Sequence, residues 1–170
     1  MLDYIDVQSK YLLAWGQSTM EQFKHYNPSL NVIICGKPLE TQSDNIYRDN
    51  KLLGVVLDQK MFKEYNEKMI NIAIEVAKTR NMKITIRFHP SDNVKNYNLQ
   101  EELIDSKRAT DESSVIIAHT TTMIYEYLVK GYKVFKFKSE IPANDLDERL
   151  KFSNSDELNQ LMSLDFDFRA

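Results

Sequence analysis

Three short stretches carry side chains whose types and spacing can do chemistry: Arg87-Phe-His-Pro-Ser-Asp92, Ile117-Ala-His-Thr-Thr-Thr122, and the segment from Glu126 to Gly131. In the second, a continuous apolar run, Val115 to Ala118, has the form of a strand buried on both faces. Met123, Ile124, Tyr127 and Leu128 then follow at helical spacing, and Gly131 stops that helix before a strand over Lys133–Phe137. Thr120, Thr121 and Thr122 therefore stand where a buried strand hands over to a helix N-terminus. Such a turn offers free backbone N–H groups, the positive end of a helix dipole, and hydroxyls that cap the helix or donate to an anion. The chemistry expected there is phosphate binding. Threonine is also an ordinary N-cap and most strand-to-helix turns bind nothing, but three in a row exceed what one cap needs.

The first stretch closes a strand. Lys83–Phe88 alternates, with Ile84, Ile86 and Phe88 on one side and Lys83, Thr85 and Arg87 on the other. It runs into His89-Pro90, and the proline biases His89 towards an extended backbone. Alternation puts Arg87 and His89 on a common face, with Ser91 next in line. This cationic and hydroxylic set suits a phosphorylated ligand better than a metal. His25, His89 and His119 have neither HxxxH nor HExxH spacing, and the single cysteine, Cys35, has no partner, so no metal site is expected. No serine stands in a glycine-flanked nucleophile elbow.

The elements that must position these residues alternate. Leu52–Leu57 reads as a buried strand ending at Asp58, and residues 60–80 as the longest helix, with Phe62, Tyr65, Met69, Ile72, Ala73 and Val76 on one face and Glu64 and Lys68 paired outside. A shorter helix is expected over Leu99–Asp105, a loop over 139–152, and a last helix from a Ser155 cap to about Leu164 before a short acidic-aromatic tail from Asp165. Upstream, the apolar runs 11–16 and Asn31–Cys35 flank a helix over Ser18–Tyr26, with Ser18 as its cap. This strand–helix–strand fragment is too small to bury both its faces alone. Residues 39–51 are polar and read as a linker or long loop. The expected organisation is a β-α-β piece over 1–40 and a ligand-binding domain over 51–165. Strands alternating with helices and no hairpin turns predict an α/β fold: a Rossmann-like parallel sheet with helices on both faces. Ligands of such sheets gather outside the carboxyl ends of the strands, near the switch in strand order. Those ends carry Asp58 and Gln59, His89 and Ser91, His119 with the threonines, and Lys136 or Lys138.

Composition removes several classes. With 22 Lys+Arg against 25 Asp+Glu the net charge is −3, and no basic stripe matches a nucleic-acid backbone, so nucleic acid is not expected as a partner. No apolar run approaches a membrane span, the amino end lacks the form of a signal peptide, and cysteine usage leans cytoplasmic; a soluble protein is expected.

The motifs Arg87–Asp92, Ile117–Thr122 and Glu126–Gly131 together resemble the carboxyl-terminal half of bacterial B-type glycosyltransferases. The most similar kinds are capsule and surface-polysaccharide enzymes: sialyl- and polysialyltransferases and CDP-glycerol glycerophosphotransferases. The resemblance covers about Leu52–Phe137, more weakly residues 11–38. It implies half of a B-type fold and transfer of a sugar from a CMP-, CDP- or UDP-linked donor to a glycan acceptor, with no metal and no cofactor besides the nucleotide-sugar substrate. It implies that His89 contacts or protonates the departing phosphate, that Thr120 and Thr121 bind that phosphate, with Arg87, Ser91 and Thr122 beside them, and that Glu126 accepts from ribose hydroxyls. A helix acid in that place is equally a solvated residue or a partner for Lys130. The catalytic base of such enzymes comes from an amino-terminal domain, for which the forty residues before the linker are too few. A preceding domain or partner chain is therefore expected, as is peripheral membrane association of the full enzyme. Rival expectations are a polyol-phosphate transferase of the teichoic-acid type, a UDP-sugar 2-epimerase-like enzyme, and a non-catalytic nucleotide-binding module.

Overall fold

The computed structural model describes residues 9–36, 48–99, 101–141 and 146–164. The chain divides into two compact units, residues 1–42 and 43–170. In the first, β1 (Leu12–Ala14) and β2 (Val32–Ile34) pair in parallel, joined by α1 (Gln17–Tyr26). Gly16, not Ser18, is the N-cap of α1, and it supplies no side-chain bond. Leu13 and Ile33 stand side by side in this sheet, 62% and 49% exposed, so strands of three residues leave apolar surface open, as expected of so small a fragment.

The second unit holds a five-stranded parallel sheet in the order β4-β3-β5-β6-β7. Its strands are β3 (Asp49–Val56), β4 (Lys83–Arg87), β5 (Ser113–Ala118), β6 (Lys133–Phe137) and β7 (Lys151–Phe152). On the outer edge of β4 a single parallel bridge joins Ile84 to Ile104, and Asp105 N–H donates to the Ile84 carbonyl at 2.8 Å. With that bridge as a vestigial strand, the order in space is that of a doubly wound Rossmann-like sheet. The strand order reverses between β3 and β5.

The helices divide accordingly. α2 (Lys63–Arg80) follows β3 and packs Met69, Ile70, Ala73, Ile74, Val76 and Ala77 with Leu53, Val55, Val115 and Ile117 in one core, which Leu158 of α4 (Ser155–Ser163) joins. Each large apolar side chain buried there contributes about 1.5–3 kcal/mol. α3 (Met123–Val129) follows β5 on the opposite face, where Ile124 and Tyr127 pack on Val56, Ile116, Ala118 and Val134. Gly131 makes the return into β6 at φ +75°, and Asn81 ends α2 at φ +51°.

Several elements depart from the sequence reading. β3 begins at Asp49, inside the expected linker, with a register shift between Asp49 and Leu53. Leu99–Asp105 forms no α-helix; Glu101–Leu103 is one turn, because the chain there serves the sheet edge at Ile104. β7 lies in the expected loop, and Asn154 rather than Ser155 caps α4, its side chain accepting from Glu157 N–H at 2.9 Å. Thr85, on the side of β4 opposite Ile84 and Ile86, is buried and donates to the Arg108 carbonyl at 2.7 Å, since the turn at Thr110–Glu112 covers that face. The Glu64–Lys68 pair forms as expected, at 3.1 Å. The tail from Asp165 lies outside the described residues.

Candidate functional site

Register fixes where the two motifs meet. Val56 of β3 lies opposite Arg87 of β4 on one side and Ala118 of β5 on the other. His89 and Thr120 each follow their registered residue by two positions, so both stand level on the carboxyl rim of the sheet, one on either side of Asp58. Two strand spacings, about 10 Å, separate their strands. The crevice between β3 and β5 lies on this rim where α2 and α3 depart to opposite faces, the place where ligands of such sheets bind.

His89 sits in a turn closed by Asp92 N–H donating to its carbonyl at 2.8 Å, with Pro90 at the second position. Its Nδ1 accepts the Ser91 N–H at 3.1 Å and lies 2.8 Å from Ser91 Oγ. A backbone N–H only donates, so Nδ1 is the acceptor and the neutral ring carries its proton on Nε2. The turn thus presets His89 as an Nε2–H donor, and Ser91 acts through it.

Behind this turn runs a buried chain of hydrogen bonds. Asn66 of α2 accepts Asp58 N–H at 3.1 Å, donates to the Asp58 carbonyl at 3.0 Å, and donates again to Tyr97 Oη at 3.0 Å. Tyr97 Oη donates to Asp92 Oδ2, and Asp92 Oδ1 accepts from Asn93 N–H and Asn96 Nδ2. Burial raises the Asp92 carboxyl, but the bonds from Tyr97, Asn96 and Asn93 outweigh it and hold Asp92 below its ordinary value. Burial, with Asp92 beside it, pushes the Tyr97 phenol up to about 12. The end of β3, the start of α2 and the His89 turn are therefore one hydrogen-bonded assembly. A polar Asn66 inside the apolar stripe of the longest helix was the signal for it in the sequence.

The threonine turn differs from expectation in its donors. Asp58 Oδ2 accepts the Thr120 N–H at 3.2 Å and Asp58 Oδ1 accepts Gln59 N–H at 2.8 Å. Met123 N–H donates to Thr121 Oγ1 at 3.3 Å, Ile124 N–H to the Thr121 carbonyl and Tyr125 N–H to the Thr122 carbonyl. The N–H groups of Thr120, Met123, Ile124 and Tyr125 are thus used within the protein, and α3 is only seven residues long. What the turn presents at the rim is the exposed Thr122 and the half-buried Thr120 and Thr121.

The other candidates separate. Arg87 reaches Asp111, just before β5, with 3.9 Å between Nη1 and Oδ1, and the same carboxylate accepts Tyr127 Oη at 2.7 Å. Glu126 lies half-buried in α3. His119, in the bend that follows β5, is fully buried on the α2 face, stacked on Tyr65 at 5.1 Å and 16°. Burial lowers its pKa, Lys136 adds to that effect, and Asp58 opposes it. Among the described residues no group of three His, Cys, Asp or Glu is placed to hold a metal ion, and no helix is long and apolar enough to cross a membrane.

The sequence matches no protein-family model and no curated protein.

Proposed function

We propose that residues 51–165 are the donor-nucleotide-binding part of a glycosyltransferase of capsule or surface-polysaccharide synthesis, taking a CMP-, CDP- or UDP-linked sugar. One observation carries this reading: His89 and Thr120–Thr122 stand level on one rim, at the reversal of strand order. Sugar transfer from a nucleotide leaves negative charge on the departing phosphate, which fixed donors stabilise. His89, set as an Nε2–H donor by its turn, meets that charge from the β4 side. The hydroxyls of Thr120–Thr122 meet it from the β5 side, and Glu126 serves the ribose. The pocket for the acceptor glycan and a catalytic base come from a further domain or partner chain.

Asp58 favours a second reading. Its carboxylate already accepts the Thr120 amide and sets a negative charge beside the threonine hydroxyls, as in a structural module that binds no nucleotide. Thermal-shift and calorimetric titration with CMP, CDP, UDP and GDP separates the two. Binding of a cytidine or uridine nucleotide, abolished by both His89→Ala and Thr121→Ala, supports the transferase; no response to any nucleotide supports the module.

A further inference from the structure

Among the described residues, only Ser113 and His119 bury side-chain polar atoms without a hydrogen-bond partner, and His119 does so with both ring nitrogens. Native proteins keep few such groups, because burial strips their water and returns nothing. The groups around this imidazole come from three sides. The start of α2 brings the rings of Phe62 and Tyr65, with the exposed Lys68 over the Tyr65 ring. β6 brings Phe137 and the buried Lys136, and the end of β3 brings the buried Asp58. Burial lowers the His119 pKa below 6.5; of the charges that act on the ring, Asp58 favours its proton and Lys136 opposes it.

Asp58 is placed to answer the bare ring. Its Oδ2 accepts, at 3.2 Å, the N–H of the peptide that joins His119 to Thr120, so the carboxylate already lies against the backbone from which the imidazole springs. Its own backbone is clamped by Asn66, which accepts Asp58 N–H at 3.1 Å and donates to the Asp58 carbonyl at 3.0 Å. The side chain is thus an arm on a fixed base. We infer that Asp58 is a two-position switch: its carboxylate holds the Thr120 amide while His119 is neutral, and swings to the ring when His119 takes up a proton. A buried imidazolium without a partner costs far more than a buried neutral ring, and a charge-assisted bond is about twice as strong as a neutral one. The swing replaces a lone buried charge with an ion pair and releases the Thr120 N–H at the crevice between β3 and β5. The proton comes from water, so acid opens the crevice and neutral pH shuts it. The switch needs no nucleotide and stands or falls apart from the function proposed above.

The test follows the ligand-free full chain by nuclear magnetic resonance from about pH 7.5 to about pH 5, the range in which imidazoles titrate. Expected is one midpoint, below 6.5, shared by the His119 ring nitrogens and the Asp58 carboxylate carbon. Across it the Thr120 N–H loses at least about tenfold in protection from hydrogen exchange. Met123 and Ile124 N–H, which Thr121 holds inside the same turn, keep their protection, and this separates a moving carboxylate from a fraying turn. His119→Phe removes the titrating group and leaves Thr120 protected through the whole range. Asp58→Asn has no charge to offer the ring, lowers the His119 midpoint, and serves where His119→Phe does not fold. A Thr120 N–H that stays protected through the His119 transition, one that opens in His119→Phe as well, an unmoved midpoint in Asp58→Asn, or a ring that stays neutral down to acid unfolding each overturns the switch.

Discussion

Asp58 and Thr120, 62 residues apart in the chain, meet across the crevice between β3 and β5, the carboxylate of one accepting the backbone N–H of the other at 3.2 Å. The acid closes the strand that opens the domain, and the hydroxyl residue opens the turn into α3. Their bond fixes the two lips of the crevice and sets a negative charge between the His89 corner and the threonine corner. In the proposed function the donors of the rim therefore work against Asp58 as well as with each other.

Asp58→Asn tests that balance. The amide keeps an acceptor for Thr120 N–H and removes the charge, so repulsion of a phosphate a few ångströms away disappears. Nucleotide affinity rises about threefold to tenfold at low salt, with the gain shrinking as salt rises. One of the two backbone bonds to Asp58 is lost, at a cost of about 1 kcal/mol in stability. Calorimetric titration and urea unfolding measure the two effects separately; unchanged affinity would place the ligand away from this crevice.

Tyr97→Phe cuts the buried chain that ties the His89 turn to β3. Asn66 loses an acceptor, and Asp92 loses the strongest of the bonds that hold its charge in a buried place. Destabilisation of about 1–3 kcal/mol is expected in urea, with faster amide exchange at Ser91 and Asp92 than at β5. The loss of Asp92 stabilisation also moves acid unfolding upward: a carboxyl held below its ordinary 3.8 contributes stability above that value and loses it as pH falls through the folded pKa.

How far the sequence spoke depends on the element. β5 was legible because a strand covered on both faces is a continuous apolar run, and α2 because its stripe repeats over 18 residues. β7 has two residues, too few for any period to show, and the Ile84–Ile104 bridge is a single contact. The rim position of His89 and Thr120 followed from topology alone. The burial of His119 did not, since a strand's sequence does not say which ring of a distant helix will fall on the residue just past its end. Asp58 was visible as a strand end, but its bond to Thr120 required the pairing of β3 with β5.

His119 gives the protein a second pH response. Burial depresses its pKa below the ordinary 6.5, so the unfolded chain takes up a proton that the folded one resists. Stability is then full above pH 6.5 and falls as pH drops through the folded pKa, the acid side of neutrality. His119→Phe flattens the melting temperature between about pH 7.5 and 5 while leaving the steeper carboxylate loss below pH 4. Parallel melting curves of the two proteins across that window would assign the response elsewhere.

Two glycines distinguish two causes of strain. A Cβ on Gly54, within β3, stands 2.6 Å from Ile116 Cδ1 and 2.7 Å from Thr110 Cγ2, both on buried side chains that must shift to admit it. Gly54→Ala costs about 1–3 kcal/mol, and the larger Gly54→Asn costs more. Gly131 instead needs its φ of +75°. Gly131→Ala costs about 1–2 kcal/mol there, but Gly131→Asn costs less, because asparagine tolerates the left-handed region. Opposite orders of alanine and asparagine at the two sites, read from urea midpoints, are the signature expected of packing at one and backbone conformation at the other.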